Sequence, residues 1–486
     1  MTIPTKDSDL PSFLHPLYLE VADELALVAD LWSELKDCKK QYLPKEQAEP
    51  PLSYRNRLDR TPFDSRFKPA LKGHAGLLSD FTVLEDTAAS ITAAIEDIDL
   101  QGTDLTTFLT DLDEMVLRDG GAGVLVEYPV ALEGIESAAD QMALEMRPYL
   151  VAIDRRNILN WQIDYMRGKP VIRHLAIREM RLEPEGLFGV AEKTYYRVLR
   201  PGSFEVYELR VISNKWQAVL VEAGETGLDQ VPFRWYSISN SKWFAGLPPF
   251  LNLARLNIEH LQKRSSLNEV LWKCNLPTFY RKGCPPIPGT NPPQFPPLKI
   301  GPNSVIDVPK DGEAGVIEPK GTAIAATQAD TEKLEGAMDR VSLAFLTGGE
   351  ASKTATEIMM DSAQTQCSLK NMARRKESLV QSLFSLWVEY TGETAAGGIQ
   401  VNESILQMPM SSQDAGLVLD NMGVKFSDRL GLELLKYRRW LPPEVDVDAE
   451  VERLEGMPQA RSLVSEADVE VERGRQTNPD RQPAAA

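Results

Sequence analysis

The sequence predicts an α+β protein. Three observations carry that expectation: strand patterns follow one another from about 150 to 240, helical apolar stripes flank that block on both sides, and one stripe near the C-terminal end runs for about ten turns. A chain of 486 residues exceeds what one core usually supports, so two to four domains or sub-domains are expected.

The elements follow in order. Residues 15–40 carry Leu19, Ala22, Leu25, Ala29 and Leu31 at mostly helical spacing and predict one amphipathic helix. A proline-bearing linker follows to about Pro51. "YRNRLDRTPFDSRFKPALKGHAGLL" is helix-like, with Pro62 and Pro69 as interruptions. Between Asp104 and Gly120, residues Leu105, Phe108, Leu109, Leu112, Met115 and Val116 form one stripe that Gly120 and Gly121 stop. "AGVLVEYP" reads as a buried strand. In the strand-rich block, Arg200-Pro201-Gly202-Ser203 predicts a turn between two strands.

From Pro248 a helical pattern runs to about Lys273. Seven prolines then fall between Pro285 and Pro297, which excludes helix there and leaves edge strand or extended loop. "TFYRKG", "SVIDVP" and "AGVIEP" are short strand candidates around it. A second helix is expected from about Thr327 to Leu346. A long helix follows to about Tyr390, with Leu369, Met372, Ala373, Lys376, Val380, Leu383, Phe384 and Trp387 at i, i+3, i+4, i+7 spacing. Thr354 and Glu357 make a capping-box signature at its start and Gly392 lies past its end. At 1.5 Å per residue such a helix is about 55 Å long, which suits a spine within an assembly. "GGIQVNESILQ" reads as strand, residues 411–456 as two or three short helices, and the last 30 residues as disordered.

Composition narrows the function. The formal charge is -18, from 71 acidic against 53 basic residues. That balance disfavours a protein that grips DNA through its phosphates, which needs clustered Lys and Arg, and does not exclude one that must let DNA slide past without sticking. No apolar run is long enough to span a membrane, and the start, "MTIPTKDSDLPSFLHP", lacks the pattern of a secretory leader. Cys38, Cys274, Cys284 and Cys367 are widely spaced, and His15, His74, His174 and His260 are scattered; unpaired thiols and no metal site are expected.

Several stretches invite a catalytic or binding interpretation. In "LAFLTGGEASKTATEIMM", Lys353 and Thr354 could end a phosphate loop, but the pattern G-x-x-x-x-G-K-[ST] then puts Thr347 and Ser352 where glycines are needed. A polar loop joining two helices fits every residue. "RDGGAGVLVEYP" places its glycines before a strand, the reverse of a dinucleotide-binding turn. The basic runs Arg55–Arg60 and Lys370, Arg374, Arg375, Lys376 could meet phosphate or pair between subunits. No nucleophile–base–carboxylate set stands out, so no catalytic, cofactor or metal residue is expected and the chain is read as a non-enzyme.

The order of elements, with "YYRVLRPGSFEVYEL", "GLPPFLNLARLNIEHLQKRSSLNEVLWKCNLPTFYRKG" and "SKTATEIMMDSAQTQCSLKNMARRKESLV", resembles the portal proteins of tailed double-stranded DNA bacteriophages over about residues 50–455. The resemblance is one of architecture and composition, since portals carry no catalytic signature. It implies a wing of 1–248, stem helices 249–273 and 327–346, and a clip of 274–326. It further implies a tunnel loop 347–355, a spine helix 356–392, a strand 393–410 returning to the wing, a crown 411–456 and a polar tail 457–486. The implied function is a dodecameric ring at one capsid vertex in the virion, assembled in the host cytoplasm. Double-stranded DNA would pass through it in packaging and ejection, with the terminase large subunit, the major capsid protein and head–tail adaptor or tail proteins as partners. DNA-facing candidates are then Thr347, Gly348, Gly349, Glu350, Ser352 and Lys353, and docking candidates in the clip are Arg281, Lys282, Phe295 and Lys299. The proline-dense insert departs from the family's plainer clip. Another connector ring, or a nucleotide-dependent enzyme using the 348–354 loop, are the alternatives.

Overall fold

The computed structural model describes residues 3–129, 146–238, 244–274, 278–283, 285–289, 291–295, 311–317, 322–342, 355–402, 412–422, 427–437, 440–441 and 445–455. Helices and antiparallel strands are mixed along the chain, which forms two compact units, 1–402 and 403–486.

The first unit begins with short helices: α1 (Pro16–Leu19), α2 (Ala22–Trp32), α3 (Lys39–Tyr42), α4 (Pro51–Arg60) and α5 (Phe67–Gly76). The single helix expected over 15–40 is therefore broken. Its end has a local cause: the Leu35 N–H donates to Asp30 O and the Glu34 N–H to Leu31 O, with Glu34 in the left-handed region at φ 57°. This is the Schellman closure of a helix with glutamate where glycine usually sits, and it buries Leu35. Pro69 does not interrupt α5, because it lies in the first turn, where a backbone N–H has no partner to lose.

Next come β1 (Phe81–Val83), α6 (Ala89–Ala94), α7 (Leu105–Asp119) and β2 (Gly121–Glu127). Helix α7 opens on Asp104, whose carboxylate accepts from the Thr106 and Thr107 N–H groups, and closes on Gly120 at φ 81°. Strands β3 (Tyr149–Asp154), β4 (Ile158–Met166), β5 (Lys169–Glu185), β6 (Gly189–Arg200), β7 (Ser203–Ile212), β8 (Lys215–Glu225) and β9 (Phe233–Ser237) complete two antiparallel sheets. One has the order β3-β2-β9 and the other is the meander β4-β5-β6-β7-β8. The predicted turn after Arg200 is present, with Arg200 opposite Ser203 and Gly202 at φ 82°.

The two sheets share a core of Leu125, Ile153, Ile158, Trp161, Leu175, Ile177, Leu199, Val231, Phe233 and Phe244. Phe244 is its hub: its ring lies 5.0 Å from Trp161, 5.7 Å from Phe233 and 4.9 Å from Trp235, centroid to centroid. Arg155 is buried beside it under the Tyr18 and Trp161 rings and donates to Ile158 O.

Helix α8 (Leu251–Cys274), strands β10 (Thr278–Lys282) and β11 (Glu313–Ile317), and helix α9 (Thr322–Val341) follow. The strands pair antiparallel, with Lys282 opposite Glu313, and α8 lies alongside α9. Helix α9 begins five residues before the expected Thr327; the stretch to Leu346 and the strand candidate "SVIDVP" lie outside the described residues. The described parts of the proline-dense insert, 285–289 and 291–295, contain neither helix nor strand. The long helix is α10 (Ala355–Thr391), and Gly392 at φ 75° ends it by donating to Val388 O. Its cap residue Thr354 is outside the described residues. Strand β12 (Ile399–Val401) then pairs with β1. The second unit holds α11 (Ser412–Asn421), α12 (Asp428–Tyr437) and α13 (Val447–Glu455), packed on one another. The tail from 456 is outside the described residues.

Glycine placement explains the "GGAG" run. A Cβ at Gly121 would overlap the Trp235 ring, and one at Gly123 the Phe233 ring, so β2 gives up side chains to let β9 aromatics lie flat on it. Gly123→Ala is expected to lower stability by about 1–3 kcal/mol through overpacking, read as a fall in the thermal unfolding midpoint. An unchanged midpoint would mean that Phe233 has room to move.

Candidate functional site

Three polar assemblies organise the first unit, and each involves residues that carry charge into buried positions. The first lies where α7, α10 and β9 meet. Lys376 is on the apolar stripe of α10, between Ala373 and Val380, and its side chain is 0% exposed. Its ammonium donates to Asp113 Oδ2 at 2.7 Å and to Leu78 O at 2.9 Å. Tyr236 donates its hydroxyl to the other Asp113 oxygen at 2.8 Å. Burial pushes the Asp113 carboxyl above its usual range against the pull of Lys376, and burial beside Asp113 pushes the Tyr236 hydroxyl well up. Tyr236 thus stays a donor at any ordinary pH.

This arrangement corrects the interpretation of the basic run on α10. Lys376 is no surface contact for DNA or a neighbouring subunit; its charge is spent inside the chain. Lys370 is half-buried and Arg374 exposed. Arg375 donates to Ser237 O at 3.1 Å, while the Ser237 hydroxyl donates to Gly120 O. A signal for the pair was present in the sequence: Asp113 also sits on a helical apolar stripe, one turn from Leu109 and Val116. A lone acid on one buried face and a lone base on another predict each other.

The second assembly clasps the α8–α9 pair to the N-terminal helices. Asn257 is buried on α8, and its Oδ1 accepts from the Arg66 and Phe67 N–H groups at 3.0 and 3.1 Å, capping α5 from a distant helix. Its amide donates to Asp64 O at 2.8 Å. Buried Ser265, two turns on, meets Arg57 and Thr61. Arg57 also holds Glu49 at 2.9 Å. Across the helix pair, His260 bonds Glu335 at 2.9 Å and Lys263 bonds Asp330 at 2.7 Å. Asp64, His260 and Glu335 bring one ligand atom each within 4.8 Å of one another. Arg66 already lies 3.6 Å from Asp64 and 3.9 Å from Glu335 and bonds Asp339 at 2.7 Å, so a guanidinium supplies the balancing positive charge. Arg57 belongs to the basic run Arg55–Arg60, and the structure corrects its expected role: it is buried and paired with Glu49 inside the chain. His260 was noted only as one of four scattered histidines, and Asn257 and Ser265 were not singled out, because their partners are about 200 positions away.

Of the docking candidates, Arg281 and Lys282 lie on β10, half-buried and exposed, and Phe295 is exposed. Lys299 and all of Thr347, Gly348, Gly349, Glu350, Ser352 and Lys353 lie outside the described residues.

A third cluster joins α7 to β3. Arg118 pairs with Asp119 at 2.6 Å and with Asp154, which also holds Arg156 at 2.7 Å. Burial opposes ionisation of Asp154, but the two guanidiniums together hold its carboxyl well below the usual range. Burial pushes Asp119 up to about 6.

A family model described as a domain of unknown function, DUF4055, matches residues 249–391, less than a third of the chain. That segment runs from the start of α8 to the end of α10. No curated protein matches. Two solved structures are similar at 11% identity and a TM-score of 0.36: the neck of an empty gene transfer agent particle computed with C6 symmetry, and the virion of a native gene transfer agent particle. The first covers 84% of this chain and 94% of the other, the second 87% and 99%. Superposition at that level is too low to establish a common fold.

Lys376→Met leaves Asp113 buried without its counter-charge and is expected to cost about 3–5 kcal/mol in chemical denaturation. Replacing both, Asp113→Leu with Lys376→Met, should recover most of it; an equal loss in both variants would refute the pairing. Asp154 contributes stability that is present above the ordinary aspartate pKa of about 4 and lost as pH falls below it. Asp154→Asn should therefore melt well below the wild type at pH 7, and the gap should close as pH drops under about 4. A pH-independent gap would contradict this.

Proposed function

We propose that this chain is a subunit of a phage-type portal ring, the channel for double-stranded DNA at one capsid vertex. The observation that carries the proposal is the succession α8, β10–β11, α9, α10. Two adjacent helices are tied to α4 and α5 along α8 and are joined beyond its C-terminal end by a small antiparallel pair. A helix of 37 residues is the next described element. Toward its far end α8 exposes Val270 and Trp272, while Val341, exposed on α9, lies at the end beside the Arg66–Asp339 pair. Helices with so little core of their own gain burial from neighbours, and a closed ring supplies neighbours without leaving a free end.

In this proposal α8 and α9 are the stem, 274–326 the clip that meets terminase and then the tail or adaptor, and 347–355 the loop facing passing DNA. Residues 1–248 are the wing, α10 the spine, and 411–456 the crown. The chain itself is not an enzyme; the energy of translocation comes from the terminase. The acidic balance keeps a polyanionic cargo from adhering to the bore.

Negative-stain images of the purified protein are expected to show rings with a central hole. A variant lacking Gly348 to Ser352 should still form rings yet fail to yield DNA-filled heads. A protein that stays monomeric under assembly conditions, or normal filled heads from the deletion, would contradict the proposal.

A further inference from the structure

The β5–β6 ribbon has two unlike faces. On one, charges are satisfied within the chain: Arg181 pairs with Glu179 and Glu222, and Glu183 accepts from Lys193 and Tyr195. On the other, Met180, Leu182 and Val190 are exposed, continuing to a tip where Leu187 is 92% and Phe188 97% exposed. Glu185 stands beside the tip on the charged face and Glu192 lies opposite Leu182 on the apolar face, and neither makes an ion pair among the described residues.

At the other end of the same strand is a groove of ≈ 830 Å³ between the start of β5, β9 and α10. Its walls include Pro170, Ile172, Trp235 and Leu379, with Met166 exposed beside it. Arg234 and Arg375 line it, as does Asp229. Arg234 donates to Phe233 O and to the Gln230 amide oxygen, and it has no carboxylate within ion-pair distance among the described residues. The nearby Glu389 carboxylate is taken up by the Gln230 amide at 2.9 Å. Burial lowers the Arg234 pKa, as it does for a guanidinium without a close counter-charge.

We propose that the ribbon tip, Leu187 and Phe188 with Glu192 behind them, docks into this groove on a second copy of the chain. Apolar tip meets apolar walls, and Glu192, on the same face as Leu182 and Val190, meets the Arg234 side. The occupant is another copy because a chain cannot fill its own groove: Pro170 and Glu185 are about 50 Å apart along an extended strand. Tip and groove are different patches, so the contact is head-to-tail, and such contacts generate rings when the rotation closes. The inference rests on the ring proposed above and names the contact that closes it.

Disulfide trapping tests it. Phe188→Cys and Ser378→Cys, combined in one chain and oxidised, are expected to give a ladder of covalent multimers on a non-reducing gel. Each single variant should give only the background of the native cysteines. Charge reversal adds a second readout: Glu192→Arg should lower the yield of multimers at least fivefold, and Arg234→Glu should restore part of it. Wild-type rings with no ladder would overturn this contact and leave the ring intact. If the wild type forms no rings, the ring proposal falls, and trapping at high concentration still decides the contact: multimers uphold it and their absence overturns it.

Discussion

The first unit depends on one buried ion pair. Lys376 and Asp113 join the long helix α10 to α7, and Tyr236 ties β9 into the same point. A carboxylate and an ammonium taken wholly out of water are unfavourable singly and tolerable only together with further hydrogen bonds. Here Leu78 O and the Tyr236 hydroxyl provide those bonds. The arrangement therefore specifies more than it stabilises. Sliding α10 by one turn would strand two charges in the core, whereas an all-apolar interface would tolerate such a slip.

Fixing α10 has consequences along the chain. The helix spans 37 residues, and its C-terminal half packs against β2, β9, β12 and α6 through Leu369, Met372, Val380, Phe384 and Trp387. The clasp around Asn257, His260 and Ser265 does the same for α8, adding directional bonds to α4 and α5 to the apolar burial of Leu253, Ala254 and Leu261. Toward its C-terminal end α8 still exposes Val270 and Trp272, the latter with the Arg60 guanidinium 4.3 Å over its ring.

Much of this order was legible in the sequence. The stripe of α7, its glycine stop, the Arg200–Ser203 turn, and the α8, β10, β11, α9, α10 succession follow from apolar period and from glycine and proline chemistry, which act over a few residues. The break of the 15–40 helix was not legible, because Glu34 takes a left-handed position that usually announces itself as glycine. The polar assemblies were harder still. Asn257 caps a helix that begins 190 residues earlier, and Lys376 reads as one more base in "KNMARRKE" until its place on the stripe is counted. Pairing between distant segments has no local signature. What a single sequence can offer is the anomaly, a charge on an apolar face.

Native-state hydrogen exchange tests the central claim most directly. If the Lys376–Asp113–Tyr236 bonds make one cooperative unit, the amides of 369–390, 105–119 and 233–237 exchange together at the highest protection in the chain and lose it together as denaturant is raised. Exchange of 369–390 at distinctly lower protection than α7, with α7 unaffected, would show that the long helix is held by something other than the buried pair.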